Sequence, residues 1–274
     1  MTQPVKVLLT NDDGINAPGI RALERAFKEN YPEAELWTVA PNKGRSTSSH
    51  AMNLARPVFV YDKGKRRIAV DGFPADCVYL ALYGLMDHPP DVVVSGINAG
   101  ANLGKDVIYS GTVACAREGA IRGIHGVAAS LVNGEEYGQA AENVAEIAMA
   151  VAAQPKKPVI LLNLNYPGAD FDGPRLARLG VRKYPHIVSK RAAPLTKASY
   201  YWLGGPPIQD EPIPGTDSWL IHRGVASATP LLLDQTDTEG MAEAQTLMPF
   251  LDPATVSYTH LTLPTNVSMC RSRW

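Results

Sequence analysis

Cysteine is scarce in this 274-residue chain. Cys77, Cys115 and Cys270 lie far apart, and no CxxC pair occurs. That spacing argues against a zinc cluster or a disulfide framework and fits a reducing, cytoplasmic setting. No run approaches the ~18 consecutive apolar residues that a membrane helix needs. The N-terminus lacks a basic region followed by a signal-type apolar core. Charge of one sign is not in excess: 26 Lys and Arg stand against 27 Asp and Glu, for a net charge of −1. This balance argues against a basic nucleic-acid clamp and against an acidic solvating protein. The basic run Lys63–Arg67 has no interleaved aromatics, so it reads as a solvated turn rather than an RNA patch. There is no GxSxG elbow, no HExxH and no GxxxxGK[ST] phosphate loop, and the six histidines are scattered without an internal repeat. Apolar residues make up 45% of the chain, enough for a globular core, and the length suits one large domain.

What is present is an alternation of strand and helix signals. Val5–Leu9 is a continuous apolar run of the kind buried on both faces of a sheet. Asn11-Asp12-Asp13-Gly14 ends it, and Pro18 opens a helix expected to run to Asn30. Ile20, Leu23 and Phe27 form its apolar face, with Glu24 and Lys28 as an i,i+4 pair on the other. Leu36–Ala40 is the next strand, and strand–helix–strand implies a parallel pair. Further helices are expected at 74–86, 112–122 and 136–153, with strands at 91–95, 126–131 and 159–164. Two β-like runs between 58 and 70 flank the Lys63–Arg67 turn. The fold class expected is α/β, a doubly wound, Rossmann-like, mostly parallel sheet. Residues 168–235 are rich in Gly and Pro and read as a β-rich extension, or oligomerisation arm, on a single domain spanning 1–255. The final 19 residues, Val256–Trp274, contain VSYTHLTLPT and end in CRSRW. They resemble a translated sequencing adapter with its primer, so they read as a foreign tail in place of the native C-terminus. Without the tail the chain has 255 residues, 24 basic against 27 acidic side chains, and two cysteines.

Four loops follow the expected strands and can share one sheet edge, where open parallel sheets bind ligands. Asp12 and Asp13 are adjacent carboxylates that favour a hard cation such as Mg²⁺ or Mn²⁺; a polar turn capping the next helix is the other reading. Ser95–Gly104 (SGINAGANLG) is small and amide-rich, so Asn98 could add a neutral oxygen to a metal; a flexible loop is the alternative. Ser110, Gly111 and Thr112 open a helix and suit either an anion site or ordinary capping. Pro41–Ser49 supplies hydroxyls and Arg45, which could pair with a phosphate, or it is a solvated loop.

These stretches resemble the survival protein SurE family of metal-dependent nucleotide phosphatases. LLTNDDGINAPGI, FPADCVYLAL, SGINAGANLG and DVIYSGTVACAREG carry the likeness, followed by LLNLNYP, YWLGGPP, PGTD and ASATPLLLD. The resemblance implies one divalent metal per subunit on Asp12, Asp13, Ser46 and Asn98, with Asp12, Asp13 and Asn98 catalytic. It implies phosphate contacts from Asn102, Ser110, Gly111 and Thr112, to which Arg45 is added from its charge. It further implies hydrolysis of nucleoside 5′-monophosphates, extending to 3′-nucleotides and short polyphosphate, by a cytoplasmic homodimer or homotetramer that binds neither a nucleic-acid polymer nor a membrane. A nucleotide-binding module without turnover is the alternative function, and an oligomeric scaffold a third. The chain departs from the family loop D-R-N-R-S-G, reading Asn42-Lys-Gly-Arg-Ser-Thr47, with Thr47 where the family has glycine.

Overall fold

The structure is a computed structural model that describes residues 3–192, 198–205 and 209–247. The tail at 256–274 lies outside the described residues. The chain divides into two compact units, Met1–Leu233 and Asp234–Trp274.

The first unit begins with β1 (Lys6–Thr10), α1 (Pro18–Asn30), β2 (Glu35–Pro41), β3 (Val60–Asp62), β4 (Arg67–Val70) and α2 (Pro74–Leu80). It continues with β5 (Val92–Ala99), α3 (Gly111–Ile121), β6 (His125–Leu131), α4 (Gly138–Ala152) and β7 (Leu161–Tyr166). The extension adds β8 (Asp172–Leu176), β9 (Arg182–Lys183), β10 (Val188–Ala192), β11 (Ser199–Leu203), β12 (Gln209–Asp210), α5 (Asp217–Ile221) and β13 (Val225–Pro230). In the second unit the described element is α6 (Gly240–Leu247), whose first N–H donates to Asp237 Oδ1 at 2.9 Å.

Nine strands form one sheet in the order β3-β4-β2-β1-β5-β6-β7-β13-β8. The run from β4 to β7 is parallel throughout. Counting only β1, β2, β4, β5, β6 and β7, the spatial order is 3-2-1-4-5-6, the doubly wound dinucleotide-fold arrangement, which reverses between β1 and β5. Helices α1 and α4 pack together on one face, and α2 and α3 on the other. The expected hairpin is present as β3 and β4. The helix expected over 74–86 is regular only to Leu80, and Ala81–Leu85 forms a wider π turn.

The extension is only partly an arm. β13 runs antiparallel to β7, and β8 parallel to β13, so both lengthen the central sheet. By contrast, β10 and β11 form a separate hairpin, and all five residues of β11 (Ser199–Leu203) are exposed.

One expected pair is not formed. Glu24 does not meet Lys28; it is buried, and Oε1 accepts from Nε of Arg67 on β4 at 2.9 Å. The same guanidinium donates to the Ile15 carbonyl at 2.5 Å. A carboxylate this buried needs a desolvated partner with several donors, and Arg67 supplies a planar fork where Lys28 offers one mobile charge.

Helix α1 meets β5 backbone to backbone. A Cβ added at Gly19 would overlap the Ile97 carbonyl. Replacing a helical glycine by alanine ordinarily stabilises by about 1 kcal/mol. Here Gly19→Ala is expected to destabilise by about 1–3 kcal/mol through overpacking, read from the denaturant midpoint at unchanged slope. An unchanged or raised midpoint would show that the seam can open.

Candidate active site

The point at which the strand order reverses is also where the acidic pair sits. Asp12 and Asp13 follow β1, and Asn98 lies near the carboxyl end of the neighbouring β5. Asn11 shapes the turn: its Nδ2 donates to the Gly14 carbonyl at 2.9 Å and its Oδ1 accepts the Gly14 N–H at 3.1 Å.

Asp12 is only 4% exposed. Its Oδ1 accepts the Thr112 hydroxyl at 2.5 Å, and the Thr112 amide points at the same carboxylate. Burial pushes its pKa up to about 6; the Thr112 bond opposes this and the Asp13 charge adds to it. Asp13 is also raised by burial, against an N–H bond from Ala99 to Oδ2 at 3.1 Å. Neither carboxylate has a Lys, Arg or His partner among the described residues. The first turn of α3 can approach this closely because residue 111 is glycine: a Cβ there would stand 2.8 Å from Asp12 Oδ2.

The other loops converge on this pair. The Arg45 N–H donates to the Asp12 carbonyl at 2.7 Å, and the Ile15 N–H to that of Pro41 at 2.8 Å. This anchors the loop carrying Ser46, which is itself exposed. The far end of the loop is stapled by Ser49, whose N–H and hydroxyl donate to the Tyr109 and Ile108 carbonyls at 3.0 and 2.8 Å. Thr47 has φ +55°, in the left-handed region where β-branched residues are rare. The Arg45 guanidinium pairs with Asp71 at 3.2 Å and lies over the Phe73 ring.

Asn98 Nδ2 donates to the Gly100 carbonyl at 2.9 Å, which leaves the side-chain oxygen as its free end. Asn102 is buried. Its Nδ2 donates to Ser130 Oγ at 2.8 Å and its N–H to Asn165 Oδ1 at 2.9 Å. Its carbonyl accepts from Asn163 and Asn165 at 2.8 and 3.1 Å. Asn98, Ser130, Asn165 and Ser227 are in register across β5, β6, β7 and β13, forming a polar row through an otherwise apolar sheet. Ser130, Asn163 and Asn165 were not expected at the site. Their signal lay in LLNLNYP: two asparagines two residues apart in a central strand share one buried face, where each amide must find partners.

Ser110 caps α3, its Oγ accepting the Val113 N–H at 3.0 Å. The Thr112 hydroxyl is committed to Asp12, so the Gly111 N–H and the Ser110 hydroxyl proton are the donors left at this helix start. About two turns further along α3, buried Glu118 accepts from His50 at 2.8 Å and from Arg122 at 2.9 Å. Burial alone would raise the Glu118 pKa, but these two partners lower it.

The donor set decides what the site can hold. Among the described residues no three of His, Cys, Asp and Glu converge. A soft metal centre is therefore unsupported, and two carboxylates completed by neutral oxygens suit a hard divalent cation.

The family model described as Survival protein SurE matches residues 7–186. A protein of Anaeromyxobacter dehalogenans named 5′-nucleotidase SurE is 45% identical over 237 residues, covering 85% of this chain and 91% of that one. One of the same name from Carboxydothermus hydrogenoformans is 40% identical over 262 residues, covering 91% and 98%. The crystal structure of the SurE protein from Aquifex aeolicus aligns with a TM-score of 0.76 at 35% identity, covering 89% of this chain and 99% of that chain. On sequence and fold together, the chain belongs to the survival protein SurE family.

Proposed function

We propose that this protein is a divalent-metal-dependent phosphatase that hydrolyses nucleoside 5′-monophosphates to nucleoside and phosphate. The carrying observation is the pair of desolvated carboxylates that have no cationic partner among the described residues, set at the strand-order reversal beside the start of α3. The names of the relatives support the substrate class. Asp12, Asp13, Asn98 and Ser46 would hold one ion, Mg²⁺, Mn²⁺ or similar. When bound, that ion supplies Lewis-acid polarisation of the phosphoryl group and a more acidic water.

The chain's own groups do the rest. Thr112 orients the Asp12 carboxylate through Oδ1. Oδ2 of Asp12, or an oxygen of Asp13, takes the proton of the attacking water as its oxygen bonds to phosphorus and the bond to the 5′ oxygen breaks. The leaving alkoxide takes up that proton, returned from the aspartate directly or through solvent water, and departs as the nucleoside hydroxyl. Asn102, Ser110 and the Gly111 amide face charge on the equatorial oxygens. Arg45 would have to exchange Asp71 for the phosphate, and the half-exposed pair is weak enough to allow it. The proposal includes 3′-nucleotides and short polyphosphate as secondary substrates. It includes a cytoplasmic location, supported by the free buried thiols of Cys77 and Cys115. Assembly of two or four copies is supported by the exposed aromatic strand β11. No helix among the described residues is long and apolar enough to cross a membrane.

Phosphate release from AMP and from an aryl phosphate, measured with Mn²⁺ or Mg²⁺, is expected to stop with chelator and return with added metal. Turnover that survives chelation would refute the mechanism, and AMP binding without release would leave a nucleotide-binding module. Asp13→Asn is expected to lower kcat by at least roughly a hundredfold.

Removing one of two neighbouring like charges should also help the metal-free fold. Asp12→Asn is therefore expected to abolish turnover yet raise the thermal midpoint of the chelated protein at pH 8, by about 2–4 °C for each kcal/mol relieved. A lowered midpoint would mean that Asp12 is already well compensated without metal.

A further inference from the structure

Between Asn102 and Ser110 the chain makes a short 3₁₀ turn, Gly104–Ile108, that carries the phosphate side of the site. It is gripped from two directions. The sheet holds its start through Asn163 and Asn165, as described. The extension holds the turn itself, through residues that contact none of the metal-side groups.

Asp217, the first residue of α5, is completely buried. Its Oδ2 accepts the Gly104 N–H at 2.8 Å, while Oδ1 accepts those of Gly180 and Ser218, both at 2.7 Å. It has no Lys, Arg or His partner among the described residues, so these three backbone donors offset its charge. The arrangement requires an acceptor at both ends of the side chain. Asparagine could keep Gly180 and Ser218 on its single oxygen, but its NH₂ would then face the Gly104 N–H, donor against donor.

The second grip is on Asp106. Arg182 on β9 donates through Nη1 to Asp106 Oδ2 at 2.6 Å and through Nε to Asp210 on β12 at 3.0 Å. The Tyr184 hydroxyl donates to the same Asp106 oxygen. Asp210 is completed by His222 at 3.0 Å. Arg182 and Asp210 are largely buried, so this is a desolvated, hydrogen-bonded network rather than a surface pair.

We infer that Asp217 and Arg182 are positioning residues of the phosphate site: by holding Gly104 and Asp106 they set where Asn102 and the Ser110–Gly111 donors stand. The inference rests on the phosphatase reading above and assigns a role to the PGTD segment that this reading leaves unused.

Asp217→Asn tests it. Compared with the parent protein at saturating Mn²⁺, kcat/KM for AMP is expected to fall roughly ten- to hundredfold, the effect of misplacing binding groups by a fraction of an ångström to one ångström. The inhibition constant for inorganic phosphate is expected to rise in parallel. The Mn²⁺ concentration for half-maximal activity, and the Mn²⁺-induced shift in thermal midpoint, are expected to stay the same. A merely structural role would lower the midpoint and the active fraction while leaving KM and phosphate inhibition unmoved. Arg182→Gln is expected to repeat the pattern and serves if Asp217→Asn does not fold. A folded variant of either kind with parental kcat, KM and phosphate inhibition overturns the inference. If the parent protein itself releases no phosphate, the phosphatase reading fails, and calorimetric binding of inorganic phosphate with Mn²⁺ still decides the clamp. Weaker binding in Asp217→Asn upholds it; equal binding, or none in either protein, overturns it.

Discussion

Placing two carboxylates on adjacent residues at the rim of a buried sheet costs free energy, because each charge disfavours the other and desolvation disfavours both. Asp12 shows the size of the effect, with a pKa raised to about 6 despite a strong bond from Thr112. Much of the surrounding structure can be understood from that constraint. The Thr112 hydroxyl and amide address Asp12, the Ala99 N–H addresses Asp13, and no side-chain cation among the described residues neutralises either. On the function proposed above, the uncompensated part of the charge is what would draw a divalent ion.

The same pair organises the loops. The Asp12 carbonyl holds Arg45, and with it the segment bearing Ser46. Gly111 leaves just enough room for the α3 backbone to lie against the carboxylate. The price of this convergence is local strain: Thr47 and Ser49 take φ values of +55° and +51° between the two anchors of their loop.

Much of this was legible in the sequence. Pro18–Asn30 has the bounds that its proline and periodicity indicated, and the polar loops after β1 and β2 do lie at the carboxyl ends of the strands, whereas Ser95–Ala99, read as the start of a loop, is the last part of β5. Local pattern reads local geometry well. It fails where a partner comes from far along the chain. Glu24 looked like an exposed helical residue beside Lys28, yet its partner Arg67 lies 43 positions away on another element. The asparagines of LLNLNYP and the aspartate of PGTD carried a family likeness but no visible chemistry. Their acceptors and donors are backbone groups of a loop 61 to 113 residues distant.

That last separation bears on how the protein comes into being. The two halves of the site mature at different moments of synthesis. Asp12 can meet Thr112 once about half of the chain has been made, whereas Gly104 must wait for Asp217. At ~5–20 residues per second, a ribosome needs on the order of 5–20 s to cover the interval. During that time a nascent chain can bring Thr112 to Asp12 while Gly104 still lacks its Asp217 acceptor. In an emerging polypeptide of this kind the acidic pair would be in place before the loop that faces it had its second anchor.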